Sequence, residues 1–217
     1  MPVPAAQKIW NLLGFRGIGA RWKFRLRSTN SQCATTLHSD DETFIDLVMA
    51  RSHILPEHLR PGLRLVFCGT AAGRQSALQK AYYAHPQNKF WRTLEQVGLT
   101  PRRFAPQEYP ALWELGIGLT DIAKFAYGMD HQLPRHSLGP KAAAALRARI
   151  LSAAPGHLAF TSLTAGRAVL GKTAVPGEQA EKLGGTRVWV LPSPSPLADN
   201  HWDIAPWEDL AKAVKRA

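Results

Sequence analysis

A short apolar run that stops at a glycine is the feature that most restricts how this chain can fold. Residues 63–68 are apolar except for one arginine, and residues 69–73 follow as Gly-Thr-Ala-Ala-Gly. A β-branched or aromatic run that ends at a glycine predicts a buried strand, and the two glycines let a ligand approach the backbone closely. This pattern predicts a strand, a loop and a ligand site within residues 63–91.

Further strands and helices alternate along the rest of the chain. Apolar residues at helical spacing in residues 88–97 and the alanine-rich run 141–154 are the clearest helix signals. Strands are predicted at residues 63–68, 116–121, 157–160 and 186–191, and helices at 88–97, 109–115, 141–154, 163–170 and 206–215. Alternating elements favour an α/β fold, a three-layer α/β/α sandwich around a short, mainly parallel four-stranded sheet. We expect the loops at the carboxyl ends of these strands to converge on one site.

The amino-terminal residues have a different composition from the rest. Residues 1–30 contain six basic and no acidic residues, with tryptophan and phenylalanine interleaved. Such a segment could follow a phosphate backbone, target an organelle or form a solvated arm. Residues 39–42, Ser-Asp-Asp-Glu, are typical of a capping box. We therefore divide the chain into a basic segment, residues 1–35, and a single domain, residues 36–217.

Charge and cysteine content limit the classes of function. The formal net charge of +11 and the pI near 10.1 favour a polyanionic partner, either nucleic acid or an anionic membrane surface. No uncharged apolar run reaches the length of a spanning helix, so we expect no membrane segment. Cys33 and Cys68 form neither a CxxC pair nor a tetrad, which argues against a disulfide framework and a metal centre. We expect no metal, no cofactor, a monomer and a cytoplasmic location, nucleoid-associated in a bacterium.

Two loops each allow a functional and a purely structural interpretation. The segment 69–73 suggests nucleotide binding, but it lacks both the Lys-Ser/Thr ending of a P-loop and a third glycine, so a tight turn is the alternative. Residues 192–196, Pro-Ser-Pro-Ser-Pro, must form a rigid loop because proline lacks an amide donor. That loop ends at Leu197, which is either a surface residue or a wedge that enters a nucleic-acid duplex.

Several of these segments together resemble a known family. Residues 61–69, Pro-Gly-Leu-Arg-Leu-Val-Phe-Cys-Gly, are similar to the PGLRVVFCG of the mismatch-specific uracil/thymine-DNA glycosylase branch of the uracil-DNA glycosylase superfamily. Residues 84–91, Ala-His-Pro-Gln-Asn-Lys-Phe-Trp, match its AHPxNxFW. Residues 193–198 resemble the HPSPLS or NPSGLS loop, and the likeness extends over about residues 55–215.

This resemblance implies an enzyme that flips uracil out of DNA and hydrolyses its N-glycosidic bond without metal or cofactor. By matching positions, Phe90 would stack on the flipped base and Leu197 would fill the gap left in the duplex. The basic composition fits this activity, because phosphate contacts need cations. The substrate-binding residues predicted in this way are Gly69, Thr70, Ala71, Ala72, Gly73, Phe90 and Thr120.

The chain departs from the family pattern at two positions. Ala71 replaces the asparagine of GINPG that positions water in the family, and Ser193 replaces the first His or Asn of the later loop. Asp121, at the predicted end of the second strand, is our first candidate to orient water and stabilise a positive sugar. A helix cap or an ion pair with Lys124 is the alternative role. Ser193 is a further catalytic candidate, and His85, His131 and His201 are weaker ones.

The remaining predictions concern DNA contacts and alternative functions. DNA carrying uracil and its abasic product are the expected partners in base-excision repair. The residues predicted to contact DNA are Arg74, Gln75, Ser76, Lys80, Lys89, Ser195 and Leu197, with a solvated basic surface as the plainer interpretation. One alternative is a glycosylase for another deaminated base such as hypoxanthine. A second is a protein that binds abasic or uracil sites without turnover.

Overall fold

The computed structural model of the chain describes residues 52–216, and the structural statements below refer to that range. The predicted basic segment 1–35, the domain boundary at residue 36, the capping box at 39–42 and Cys33 lie outside it. Within it, no helix combines the length and the apolar character needed to cross a membrane.

Five strands form one sheet. They are β1 (Leu65–Ala72), β2 (Ile117–Tyr127), β3 (His157–Phe160), β4 (Gly177–Leu183) and β5 (Thr186–Val190), in the order β2-β1-β3-β5-β4. The pairs β1–β2, β1–β3 and β3–β5 are parallel, and β4 is antiparallel to β5. The register places Leu65 beside both Ile117 and His157, so β1, β2 and β3 start at the same level.

Helices cover both faces of this sheet. The α-helices are α1 (Arg74–Gln79), α2 (Phe90–Gln96), α3 (Pro140–Ala153), α4 (Leu163–Leu170) and α5 (Ala205–Arg216), and 3₁₀ helices span Pro106–Leu115, Asp130–Gln132, Arg135–Leu138 and Pro196–His201. One core contains side chains of α2 and α5, with Phe90 and Trp207 at its centre. The other core contains side chains of α3 and α4, such as Leu146 and Val169. The predicted α/β/α layering is confirmed.

The sheet differs from the prediction in number and length of strands. β4 was missed because it is an edge strand with the polar sequence Gly-Glu-Gln-Ala-Glu-Lys-Leu, which has no apolar pattern to detect. The predicted loop 69–73 was wrong for its first four residues, since β1 continues to Ala72. The eleven-residue β2 offers backbone partners for Gly69 and Ala71, so small residues there extend the ladder.

Two predicted helical features also differ. The predicted helix 109–115 is a 3₁₀ helix, Pro106–Leu115, because Pro110 inside it removes an amide donor and restricts the preceding residue. The residues directly after the predicted loop 69–73 form helix α1, although no helix was predicted there. The prediction for residues 163–170 matches α4, and the predictions for 88–97, 141–154 and 206–215 agree with α2, α3 and α5 to within two residues.

A segment upstream of β1 pairs with the outer edge of β2. The Ile54 amide donates to the Lys124 carbonyl at 2.8 Å, and His58 exchanges two backbone hydrogen bonds with Leu119 at 3.1 and 3.2 Å. His58 is buried and stacks on Trp113 with ring centroids 4.4 Å apart. This segment therefore satisfies backbone groups that an open sheet edge would expose.

Phe90 is a core residue whose replacement should destabilise the protein. Its side chain is fully buried against Phe67, Tyr83, Trp91 and Trp207. We expect Phe90→Ala to lower the free energy of unfolding by about 3–5 kcal/mol in urea denaturation, because a large cavity remains.

Phe125→Ala is the matched control for this prediction. Phe125 is 59% exposed, so its replacement should change the free energy of unfolding by less than about 0.5 kcal/mol. Equal effects of the two substitutions would contradict the assignment of Phe90 to the core.

Candidate active site

A cavity of about 1130 Å³ lies at the carboxyl ends of the parallel strands. Residues that follow β1, β2, β3 and β5 all line it, as the strand order requires for parallel strands whose ends meet at one edge. Of the predicted site residues, the cavity wall contains Gly69, Thr70, Ala71, Ala72, Gly73, Arg74, Gln75, Ser76, Asp121, Ser193, Ser195, Leu197 and His201.

Asp121 provides a buried carboxylate in this wall. It pairs with Gly69 across the β1–β2 ladder, and it lies inside β2 instead of at the predicted strand end. β3 stops one residue earlier in register, at Phe160 opposite Cys68, and this leaves the carboxylate facing the cavity. The residue is 4% exposed. The ion pair of Lys124 is with Glu57, so the alternative role of Asp121 as its salt-bridge partner is not seen.

Gly69 makes room for that carboxylate. A Cβ atom built on Gly69 would lie 2.6 Å from Asp121 Oδ1, closer than such atoms approach each other. Gly73, at the other end of the same run, has nothing within 4 Å of an added Cβ. Of the two glycines that framed the predicted loop, Gly69 therefore has a steric role beside the carboxylate.

The protonation of Asp121 is set by competing effects. Burial raises the pKa of its carboxyl from 3.8 to about 6, Lys124 and Arg149 lower the pKa, and Glu57 raises it. At neutral pH the group is mostly ionised. A buried, ionised carboxylate can accept a proton from water or stabilise a neighbouring positive charge.

Tyr83 is the site residue that the sequence predictions missed. Its ring stacks on Phe90 with centroids 3.8 Å apart and an interplanar angle of 15°, and it lines the cavity, whose wall does not include Phe90. The Tyr83 hydroxyl shares a 3.1 Å hydrogen bond with Thr161 Oγ1. Its φ of 53° is in the left-handed region, a strained conformation for tyrosine that functional sites often retain.

The signal for Tyr83 was its position directly before the Ala-His-Pro segment that carried the resemblance. In this structure a base could stack on Phe90 only after displacing Tyr83. Thr120 is fully buried, and its side chain lies outside the cavity wall because it points to the opposite face of the sheet from Asp121.

The proline-rich loop after β5 forms the wall beside these residues. Ser195 caps the 3₁₀ helix Pro196–His201 and accepts a hydrogen bond from the Leu197 amide, while Ser193 Oγ accepts one from the Ser195 amide at 3.3 Å. Leu197 is 77% exposed and lines the cavity. His201 is exposed and ends the same 3₁₀ helix.

Lys89 joins this loop to α2. Its amide donates to the Pro194 carbonyl at 2.8 Å, and its Nζ forms an ion pair with Asp199. The Nζ atom also lies 5.4 Å from the centre of the Trp202 ring. Lys89 is 8% exposed, so its charge stabilises the loop in this structure and is not free at the surface.

The other predicted DNA-contact residues differ in exposure. Arg74 and Gln75, in the first turn of α1, are exposed at the cavity, and Lys80 is exposed but donates to the Ile54 carbonyl at 3.2 Å. Ser76 is buried and accepts a hydrogen bond from the Ala84 amide at 3.1 Å, which fixes the turn after α1. Within residues 52–216, no group of three or more His, Cys, Asp or Glu side chains is arranged to hold a metal ion.

Comparison with known proteins identifies the family of the chain and supports the fold. The model of the uracil DNA glycosylase superfamily matches residues 56–212. The solution NMR structure of a candidate uracil DNA glycosylase from Methanosarcina acetivorans has a similar fold, with a TM-score of 0.53 and 19% sequence identity over 74% of this chain and 96% of that chain. Because the family match spans more than half of the sequence, the chain belongs to the uracil DNA glycosylase superfamily.

Proposed function

We propose that this DNA glycosylase removes uracil from DNA and leaves an abasic site. The observation that carries the proposal is a buried carboxylate, Asp121, in the wall of a cavity at the carboxyl ends of the strands. Ala71 stands where the resembling branch has its asparagine, and it can neither orient water nor accept a proton. Asp121 supplies both capacities from the neighbouring strand.

In this mechanism the uracil nucleotide leaves the duplex and enters the cavity. Leu197 occupies the space that the nucleotide leaves, and its exposure supports this role because an exposed leucine gains from burial between bases. Arg74, exposed at the cavity edge, contacts a phosphate. The base stacks on Tyr83, which Phe90 supports from behind.

The chemical step breaks the bond between C1′ of the sugar and N1 of uracil. The uracil leaves with the bonding electron pair as an anion, and positive charge develops on the sugar. Asp121 stabilises that charge, orients a water molecule and takes its proton as the water oxygen bonds to C1′. Backbone groups of residues 69–73 contact the polar edge of uracil, and Ser193 and His201, which also line the cavity, are further polar candidates.

Hypoxanthine is the second candidate substrate. A cavity of about 1130 Å³ exceeds the roughly 300–1,000 Å³ that is typical of small-molecule sites, so its size does not exclude a purine. A protein that only binds uracil or abasic sites is the third possibility, and the replacement of the family asparagine by Ala71 is the observation that favours it.

A duplex with a single uracil tests the proposal. We expect strand breakage at the uracil after alkali treatment, and we expect Asp121→Asn to lower the single-turnover rate by about 10²–10⁴-fold. The asparagine variant should remain folded in thermal denaturation, because burial disfavours the charge that it removes.

Assays on several damaged substrates distinguish the uracil glycosylase from the hypoxanthine glycosylase and from the binding protein. Breakage at hypoxanthine and not at uracil would favour the purine glycosylase. Retention of the damaged duplex with no breakage opposite guanine, opposite adenine or in a single strand would favour the binding protein. Full activity of Asp121→Asn would remove this residue from the mechanism.

The rate should depend on pH through Asp121. Because burial raises the pKa of its carboxyl to about 6 and the mechanism needs the ionised form, the single-turnover rate should fall about tenfold for each pH unit below 6. The residual activity of Asp121→Asn should lack this dependence. A wild-type rate that is constant from pH 7 to pH 5 would contradict the role of the carboxylate.

The two glycines of the 69–73 segment give a matched pair of variants. Gly69→Ala would force the Asp121 carboxylate to move, and a displacement of about 1 Å at a reacting group costs about 10²-fold in rate. Gly73→Ala has free space and should stay within a few-fold of the wild-type rate. Single-turnover assays on the uracil duplex compare them, and similar rates for both variants would contradict the steric argument.

Substitution of Tyr83 tests the stacking surface. Tyr83→Ala should weaken binding of the flipped uracil by about 1–3 kcal/mol, while Tyr83→Phe keeps the ring and should bind nearly as the wild type does. The Asp121→Asn background slows turnover, so affinity for the uracil duplex can be measured by fluorescence anisotropy before the base is removed. Unchanged affinity of Tyr83→Ala would assign the stacking role to another residue.

A further inference from the structure

Three charged side chains, Glu57, Lys124 and Arg149, are clustered near Asp121. Lys124 Nζ lies 3.7 Å from Glu57 Oε1, and Arg149 Nε lies 3.3 Å from Glu57 Oε2. The Lys124 side chain is 1% exposed and also donates to the Tyr82 hydroxyl at 3.2 Å. None of the three charged residues lines the cavity. They are therefore placed to act on Asp121 and not directly on a ligand in the cavity.

The cluster is joined to Asp121 through the backbone and through its charge. An amino group of Arg149 donates to the Asp121 carbonyl at 2.9 Å, which links α3 to β2 at this residue. Lys124 follows three residues later on the same strand. Glu57 comes from the segment that pairs with the edge of β2, so three separate parts of the chain meet here.

The charges of the cluster balance only when Asp121 is ionised. Lys124 and Arg149 bring two positive charges and Glu57 brings one negative charge, which leaves one positive charge in a mostly buried region. A buried charge without a partner is costly, so the ionised carboxylate of Asp121 completes the cluster. Burial and the two cations therefore act on Asp121 in opposite directions.

The other titratable groups that face Asp121 do not disturb this balance. Cys68 on β1 and the hydroxyls of Tyr82 and Tyr83 are neutral at physiological pH, because burial raises their pKa. Burial lowers the pKa of His53, which lies beside Lys124 and Glu57, and this favours its neutral form. Among the described residues, Glu57, Lys124 and Arg149 are thus the charges that set the state of Asp121.

We infer that Lys124 and Arg149 are positioning residues that hold Asp121 as a carboxylate and fix its place on β2, and that Glu57, which is paired with both cations, offsets part of their charge. The inference rests on the proposed catalytic role of Asp121 only where it predicts an effect on enzyme activity. The effect on the titration of Asp121 itself is independent of any reaction.

The cluster predicts shifts of opposite sign for two variants. Lys124→Met removes a cation, so the pH midpoint for protonation of Asp121 should rise by about one unit or more. Glu57→Gln removes the competing anion, so the midpoint should fall. The double variant Glu57→Gln/Lys124→Met keeps the net charge of the cluster and should titrate close to the wild type. Glu181→Gln, in an exposed ion pair on the edge strand β4, is the matched control and should not move the midpoint.

The measurement is a pH titration of the Asp121 side-chain carboxyl by ¹³C NMR in the full-length protein without DNA, assigned by its absence in Asp121→Asn. The inference would be overturned if the midpoints of Lys124→Met and Glu57→Gln shifted in the same direction or did not shift. If Lys124→Met does not fold, Glu57→Gln alone is the test: a lower midpoint supports the inference, and an unchanged or higher midpoint overturns it.

The pH profile of single-turnover activity separates the two proposals. If the NMR midpoints shift as expected and the rate profile follows them, both proposals are supported. If the midpoints shift and the rate does not follow, the cluster stands and Asp121 is not the catalytic carboxylate.

Discussion

The close contact between Gly69 and Asp121 is the constraint on which this site depends. Parallel pairing of β1 and β2 brings the two residues opposite each other, and the absence of a side chain at Gly69 leaves space for a carboxylate. On the other side of β1, β3 ends at Phe160 opposite Cys68, so its register with β1 stops one position before Gly69. Strand lengths therefore place a charge in the cavity wall, and the loops that follow β1, β2, β3 and β5 complete that wall.

The fold could be predicted from the sequence because its strongest signals are local. Apolar runs that end at glycine or proline indicate the buried parallel strands, and helical periodicity indicates α2, α3 and α5. β4 could not be found in this way, since a solvent-exposed edge strand needs no apolar residues. The end of β1 was also hidden, because the small residues 69–72 are compatible with both a loop and a ladder, and the length of β2 decides between them.

The site was predictable in part, for a related reason. Asp121 and Leu197 were identified because a charged residue after an apolar strand and a leucine after three prolines are conspicuous in the sequence. Tyr83 directly precedes the segment 84–91 and Phe90 lies within it, and only the three-dimensional structure places Tyr83 in front of Phe90 at the cavity. Lys89 could not be distinguished from a surface cation, because its partner Asp199 is 110 residues away. Contacts over such distances in sequence leave no local pattern.

The segment that pairs with the edge of β2 determines how far the chain can be shortened. The likeness to the superfamily begins at residue 56, but the hydrogen bond between the Ile54 amide and Lys124 lies before that point. A version that starts where the family match starts would keep the His58–Leu119 pair but lose this hydrogen bond and the buried side chain of Leu55. A fragment that keeps the full attachment of the segment carrying Glu57 therefore begins upstream of Ile54.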